Sequence, residues 1–192
     1  MSKNKINIVV AGATGYVGLD LIYWLSKHKK INIKNLCAQK KIGKQIKFFD
    51  KRIVKPLPKI TKLSKVLWND VDLLFLSLPN GESQKLLKKL YKFNKLKFID
   101  LSADFRIQNT SDYKKWYGKT HLAKKIQNKS IYSISEFVKE KIKNFRIISN
   151  PGCYPTSIQL ALVPLLKNKN LIDNKNIIID SKSGYSGAGK GF

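Results

Sequence analysis

Acid is scarce in this sequence. Twelve Asp and Glu stand against 38 Lys and Arg among 192 residues, a formal net charge of +26. The excess is almost all lysine, spread along the chain and accompanied by many Ile and Asn. It reads as compositional drift with lysines on solvated faces. An anionic partner (nucleic acid, membrane surface or a phosphorylated small molecule) is the competing reading. No Lys/Arg cluster with interleaved aromatics marks a nucleic-acid patch, so neither nucleic acid nor membrane is the expected partner. Cysteine is nearly absent: Cys37 and Cys153 lie far apart with no CxxC pair, which excludes a disulfide framework and fits a reducing cytosol. No metal site is read. The apolar run at 6–11 is too short for a signal segment, and no run approaches the roughly 20 apolar residues of a membrane span. A soluble, cytoplasmic protein is expected. A content of 43% hydrophobic residues and three Trp argues against disorder. The length allows one domain and part of a second.

What is present centres on Ser149-Asn150-Pro151-Gly152-Cys153-Tyr154-Pro155-Thr156. A cysteine sits in a tight turn between a strand-like run, 145–149, and a helix-like run, 157–166. Asn-Pro and Pro-Gly form turns, and proline disfavours helix in the residue before it. A helix starting near Cys153 puts the sulfur over free N–H groups, which favour a thiolate and could hold an oxyanion. The alternative is a small buried residue at a strand–helix junction.

In chain order, 5–11 reads as a buried strand, followed at once by GATGYVG at 12–18 and a helix over 16–27 with Leu19, Ile22, Tyr23 and Leu25 available for its apolar face. Strand, glycine turn and helix form the context of a dinucleotide-binding unit, here spaced GxxGxxG. A plain tight turn is the competing reading. A second strand over 31–38 ends in Gln39-Lys40-Lys41, where an enzyme using NAD has an acid for the ribose 2′-hydroxyl. Cations without an acid favour a 2′-phosphate, hence NADP, against a background of general lysine excess. Cys37 reads as a small core residue, and Ile53-Val54 as a short strand. A strong buried strand over 71–78 ends at Pro79-Asn80-Gly81; a helix follows over 82–93 with Leu86, Leu87 and Leu90 inward, then a strand over 96–101. Alternating strands and helices predict an α/β fold, a Rossmann-like doubly wound, mostly parallel sheet. Ligands bind at the carboxyl ends of such strands, where Asn80, Ser102, Asp104 and Arg106 fall. Arg106 is an anion-clamp candidate or a structural partner of Asp104. Residues 107–130 read as a connection with a short helix; His121 is a loop histidine and His28 a helix-end residue. A further strand is expected over 176–181, before a glycine-rich segment.

GATGYVG at 12–18, LSADFR at 101–106, NPGCYPT at 150–156 and SGYSGAGK at 183–190 together resemble N-acetyl-gamma-glutamyl-phosphate reductase of the longer form, within the aspartate-semialdehyde dehydrogenase superfamily. The resemblance implies NADPH-dependent reduction of N-acetyl-L-glutamyl 5-phosphate to the 5-semialdehyde, with Cys153 as the nucleophile that forms a thioacyl enzyme. It implies that Gly12, Thr14, Gly15, Tyr16, Val17 and Gly18 cradle the cofactor pyrophosphate. Gln39 and Lys40 would lie at the adenosine ribose, with Pro79 and Ser186, Gly187, Ala188 and Gly189 also in cofactor binding. Arg106 and Asn150 would face substrate. Domains of 1–149 (NADP-binding) and 150–192 (the start of an α+β catalytic and dimerisation domain) follow, and a homo-oligomer for the full-length enzyme. Asn80 stands where the family usually has His, Ser133 for a Gly and Lys190 for an Arg. The family's catalytic histidine lies in a downstream segment; neither His28 nor His121 matches it, so the chain is expected to be an N-terminal portion. A related dehydrogenase acting on another acyl phosphate, a non-catalytic nucleic-acid-binding domain and an inactive relative stay open.

Overall fold

The computed structural model describes residues 5–168, 171–173 and 175–189. Lys190 lies outside them. Seven parallel-paired strands form one sheet in the order β3-β2-β1-β4-β5-β7-β6. The chain runs β1 (Ile6–Ala11), α1 (Tyr16–Lys27), β2 (Ile31–Cys37), β3 (Ile60–Thr61), β4 (Leu73–Leu76), α2 (Glu82–Leu90), β5 (Lys97–Asp100), α3 (Thr110–Tyr117), α4 (Lys124–Gln127), β6 (Ser130–Tyr132), β7 (Ile147–Ser149) and α5 (Cys153–Lys167). The order reverses between β1 and β4, the point where a doubly wound sheet opens a crevice.

Strand periodicity divides the core. Ile8 and Val10 point to one face with Leu19, Ile22 and Leu36, while Val9 and Ala11 point to the other with Leu74, Leu87 and Phe98. Ile8 through Ala11 are fully buried, which is why β1 reads as a continuous apolar run. α1 buries Gly18, Leu19, Ile22 and Ser26 at helical spacing. α2 buries Ser83, Gln84, Leu87 and Leu90, so two polar side chains occupy its inward stripe.

Close backbone packing joins helix to sheet. Gly12 has φ +83°, and a Cβ there would lie 1.9 Å from the Ser77 carbonyl oxygen just beyond β4. A Cβ on Gly18 would lie 2.2 Å from the Gly12 carbonyl oxygen. Both neighbours are main chain and cannot rotate away.

Two expected strands are absent. Ile53-Val54 lies in non-strand backbone with Val54 86% exposed, and Ile60–Thr61 takes the place beside β2. Residues 176–181 form no strand and pair with no described residue, with Ile178 96% exposed. Apolar β-branched residues favour a strand only where a neighbour completes the ladder, and no described residue pairs with this stretch. The connection at 107–130 holds α3 and α4; the Asn109 side chain caps α3 by accepting from the Ser111 and Asp112 N–H groups. No helix among the described residues is long and apolar enough to cross a membrane.

Gly12→Ala is expected to destabilise by about 2 kcal/mol or more, from left-handed strain and displaced backbone, lowering Tm by about 5 °C or more. Thermal unfolding followed by circular dichroism checks this; an unchanged Tm contradicts it. Burial pushes the Cys37 thiol up to about 12, while Cys153 is exposed. Iodoacetamide should therefore add once to the native protein, at Cys153, and twice after denaturation, as read by peptide mass spectrometry.

Candidate functional site

The helices that follow β1, β4 and β7 begin at the carboxyl edge of the sheet, and each starts on a glycine N-cap: Gly15, Gly81 and Gly152. None carries a side-chain cap of its own. Unfilled helix N-termini present N–H donors and a partial positive charge. α1 has no acidic side chain in its first turn, and Tyr16 and Val17 are 45% and 52% exposed there. A helix N-terminus at the crevice with no carboxylate in its first turn suits an anion. Thr14, just before Tyr16 and Val17 in the turn, is half-buried.

Gln39 and Lys40 are exposed just past β2, and Lys41 beside them has φ +66°. This loop is bonded back to β3 through Gly43 N–H to Ile60 O and Ile60 N–H to Lys44 O. A ligand crossing β1 and β2 would meet lysine there and no carboxylate.

α5 starts at Cys153, so the sulfur-bearing residue is the first of the helix, and it is exposed. Thr156 N–H returns to Gly152 O, and Pro155 has no N–H, which leaves the Cys153 and Tyr154 amides as the first-turn donors. Arg106 reaches this turn from the loop after β5. Its Nε donates to Asn150 O at 3.0 Å and its Nη2 to Leu101 O at 3.1 Å. A Cβ on Gly152 would lie 2.8 Å from Arg106 Nη1, so the guanidinium rests on the helix N-cap. Arg106 is therefore not the ion partner of Asp104; the chain's main-chain carbonyls hold it. Asn150 is exposed, with its Nδ2 donating to Pro151 O. A cleft of about 420 Å³ opens beside the thiol, lined by Cys153, Tyr154, Ser157, Asp180, Lys182 and Ser183. Ser157 and Lys182 were not singled out in the sequence. Ser157 follows one helical turn after Cys153, a spacing that was available to find it.

α2 differs from the other two helices. Asp104, fully buried, accepts from Gly81 N–H at 2.7 Å and Gln84 N–H at 3.1 Å, capping the helix from a neighbouring loop. Asp104 N–H donates to Ser102 Oγ, and Ser102 in turn donates to Asp100 through N–H and Oγ. Burial pushes the Asp100 carboxyl up to about 6 against those hydrogen bonds. Burial and the Asp104 charge push the Tyr113 phenol up to about 12.

The two histidines hold structure. His121 is buried, with Nδ1 accepting from Ala123 N–H and Nε2 donating to Asp104 O, and burial lowers its pKa. His28 ends α1, far from the carboxyl edge, with Nδ1 accepting from Lys30 N–H. The segment holding Ser186, Gly187, Ala188 and Gly189 forms an exposed turn closed by Gly187 N–H to Gly184 O. It is joined to the sheet by no ladder among the described residues, so strand pairing does not bring it to the β1–β4 crevice.

The family model "Semialdehyde dehydrogenase, NAD binding domain" matches residues 7–145, and "Semialdehyde dehydrogenase, dimerisation domain" matches 153–192. The chain is 43% identical over 191 residues, 99% of its length, to a probable N-acetyl-gamma-glutamyl-phosphate reductase of Oryza sativa subsp. japonica, of which it covers 45%. It is 45% identical over 192 residues to the N-acetyl-gamma-glutamyl-phosphate reductase of Brachyspira hyodysenteriae, with 96% of this chain and 54% of that protein covered. The chain thus spans about half the length of the curated relatives it matches. In fold it is similar to aspartate semialdehyde dehydrogenase II of Vibrio cholerae, with a TM-score of 0.61 at 18% identity, covering 85% of this chain and 47% of that one. With a family model matched across most of the doubly wound sheet, the chain belongs to the semialdehyde dehydrogenase family.

Proposed function

We propose that this chain supplies the dinucleotide site and the nucleophile of an N-acetyl-gamma-glutamyl-phosphate reductase. The reaction is NADPH-dependent conversion of N-acetyl-L-glutamyl 5-phosphate into N-acetyl-L-glutamate 5-semialdehyde and phosphate, a step of arginine biosynthesis. The observation that carries the reading is Cys153, exposed as the first residue of α5 beside Arg106 and a 420 Å³ cleft. Similarity to reductases of that name over nearly the whole chain supports the substrate class.

The residues fit a dinucleotide. Gly12, Thr14, Gly15, Tyr16, Val17 and Gly18 form the turn into α1, where added side chains at Gly12 or Gly18 would strike backbone. Gln39 and Lys40 stand at the end of β2 without an acid, which supports a 2′-phosphate and so NADP. Pro79 ends the β4 side of the crevice; Ser186, Gly187, Ala188 and Gly189 complete the cofactor set by motif. When bound, the reduced nicotinamide supplies a hydride to the acyl carbon.

The Cys153 sulfur attacks the acyl-phosphate carbonyl; the C–S bond forms, the C–O bond to the phosphate breaks, and phosphate leaves with the electron pair. Arg106 and the α5 N-terminus face the charge on that leaving group, and the Cys153 and Tyr154 N–H groups can hold the oxyanion. After reduction the alkoxide collapses to aldehyde as the C–S bond breaks and its pair returns to sulfur. Asn150 orients the substrate. His121 has both ring nitrogens engaged, so it offers no base to this step.

The sheet's last strand ends at Ser149 and α5 begins at Cys153, which supports a division into 1–149 and 150–192. The match to a dimerisation domain supports a homo-oligomer, and cytoplasmic placement is the reading we adopt.

The test is a reverse assay of nicotinamide absorbance on the full-length protein, with N-acetyl-glutamate semialdehyde, phosphate and NADP. Phosphate-dependent NADPH formation is expected to fall by about 10³-fold or more in Cys153→Ala. Turnover undiminished in that variant overturns the nucleophile assignment. Nucleic-acid affinity that falls steeply with salt, without any NADP binding, would favour the basic-domain alternative instead.

A further inference from the structure

Gln84, a polar side chain on the inward stripe of α2, belongs to a hydrogen-bonded network. Gln84 Oε1 accepts from Leu122 N–H at 2.6 Å, which fixes the amide. Its Nε2 donates to Asp104 Oδ1 at 3.1 Å and to the Tyr113 hydroxyl at 2.7 Å. Tyr113, 1% exposed, approaches Asn80 Oδ1 at 3.0 Å and Asp104 Oδ1 at 3.3 Å. Asp104 also takes Gly81 N–H, so one carboxylate and one phenol grip two consecutive residues of the turn after β4. Asn80 itself is exposed, and its carboxamide nitrogen is the polar atom left to a ligand. That turn borders the point where the strand order reverses, opposite the Gly12 turn.

We propose that Gln84, Asp104 and Tyr113 are positioning residues for the cofactor: they fix the Pro79-Asn80-Gly81 turn and present the Asn80 carboxamide nitrogen to an acceptor oxygen of the dinucleotide. This rests on the dinucleotide reading of the crevice. The physical reasoning is direct. Asn80 on an exposed turn has free rotation about its side-chain bonds, and a hydrogen bond from a buried, rigid phenol removes it before the ligand arrives. Three buried polar groups, from α2, α3 and the loop after β5, cost desolvation unless paired, and here their pairing converges on one exposed side chain. A role in stability alone would not require that the network end on Asn80.

The experiment is NADPH titration by fluorescence on the intact chain and on Asn80→Ala, Tyr113→Phe and the double variant, with Tm measured for each. Asn80→Ala changes an exposed turn side chain and keeps the fold. Each single variant is expected to weaken NADPH about five-fold, and the double variant to be no weaker than Asn80→Ala, because Tyr113 acts through Asn80. Leu90→Ala, at the far end of α2, is the stability control: it lowers Tm and leaves NADPH affinity unchanged. Tyr113→Phe binding as tightly as the parent, or losses that add in the double variant, overturns the positioning role. A folded parent chain that binds no NADPH overturns instead the dinucleotide reading beneath it.

Discussion

Backbone pressed on backbone sets the geometry on which the site depends. The Gly12 turn lies against the Ser77 carbonyl, and Gly18 lies against Gly12. These contacts bring the ends of β1 and β4 and the start of α1 together without intervening side chains. A methyl group at either glycine would separate them, and the crevice between β1 and β4 would lose its shape. Interiors pack at near-crystalline density, so such a wedge is not absorbed locally.

Around that constraint the helix N-termini divide their roles. α1 and α5 keep bare glycine caps and no first-turn acids, so their positive ends are available to anions. α2 also starts on glycine, but Asp104 fills its cap from outside. The loop that carries Asp104 also carries Arg106, which rests on the start of α5. One short segment, LSADFR, therefore closes one helix end with a carboxylate and adds a cation to the next. In a chain of net charge +26, two of its twelve acids, Asp100 and Asp104, are fully buried here. The overall charge says little about the site; the placement of two carboxylates and one arginine says much more.

The alternation of strands and helices, the glycine turn and the cysteine turn were legible because they are local. Buried parallel strands read as apolar runs, and Gly and Pro punctuate them. Boundaries moved by a few residues: the strand expected over 71–78 is Leu73–Leu76, since its flanks leave the ladder. Residues 176–181 misread for a related reason: Ile-rich composition signals a willing strand, but pairing needs a partner that composition does not contain. Gln84 and Tyr113 escaped notice because each looks ordinary in its own helix. A glutamine on an apolar stripe was the available sign, and its meaning depends on Asp104, 20 residues away.

What the sequence determined by itself is the chemistry on offer: a dinucleotide-type glycine turn, a cysteine at a turn into a helix, and a chain able to fold as a doubly wound sheet. Those are properties of adjacent residues, fixed by dihedral preference and hydrophobic period. Only the tertiary structure decided that Arg106 is held by the Asn150 and Leu101 carbonyls rather than by Asp104, and that Asp104 caps α2. Hydrogen bonds between loops at one sheet edge depend on strand order, and strand order is settled by how the whole core packs.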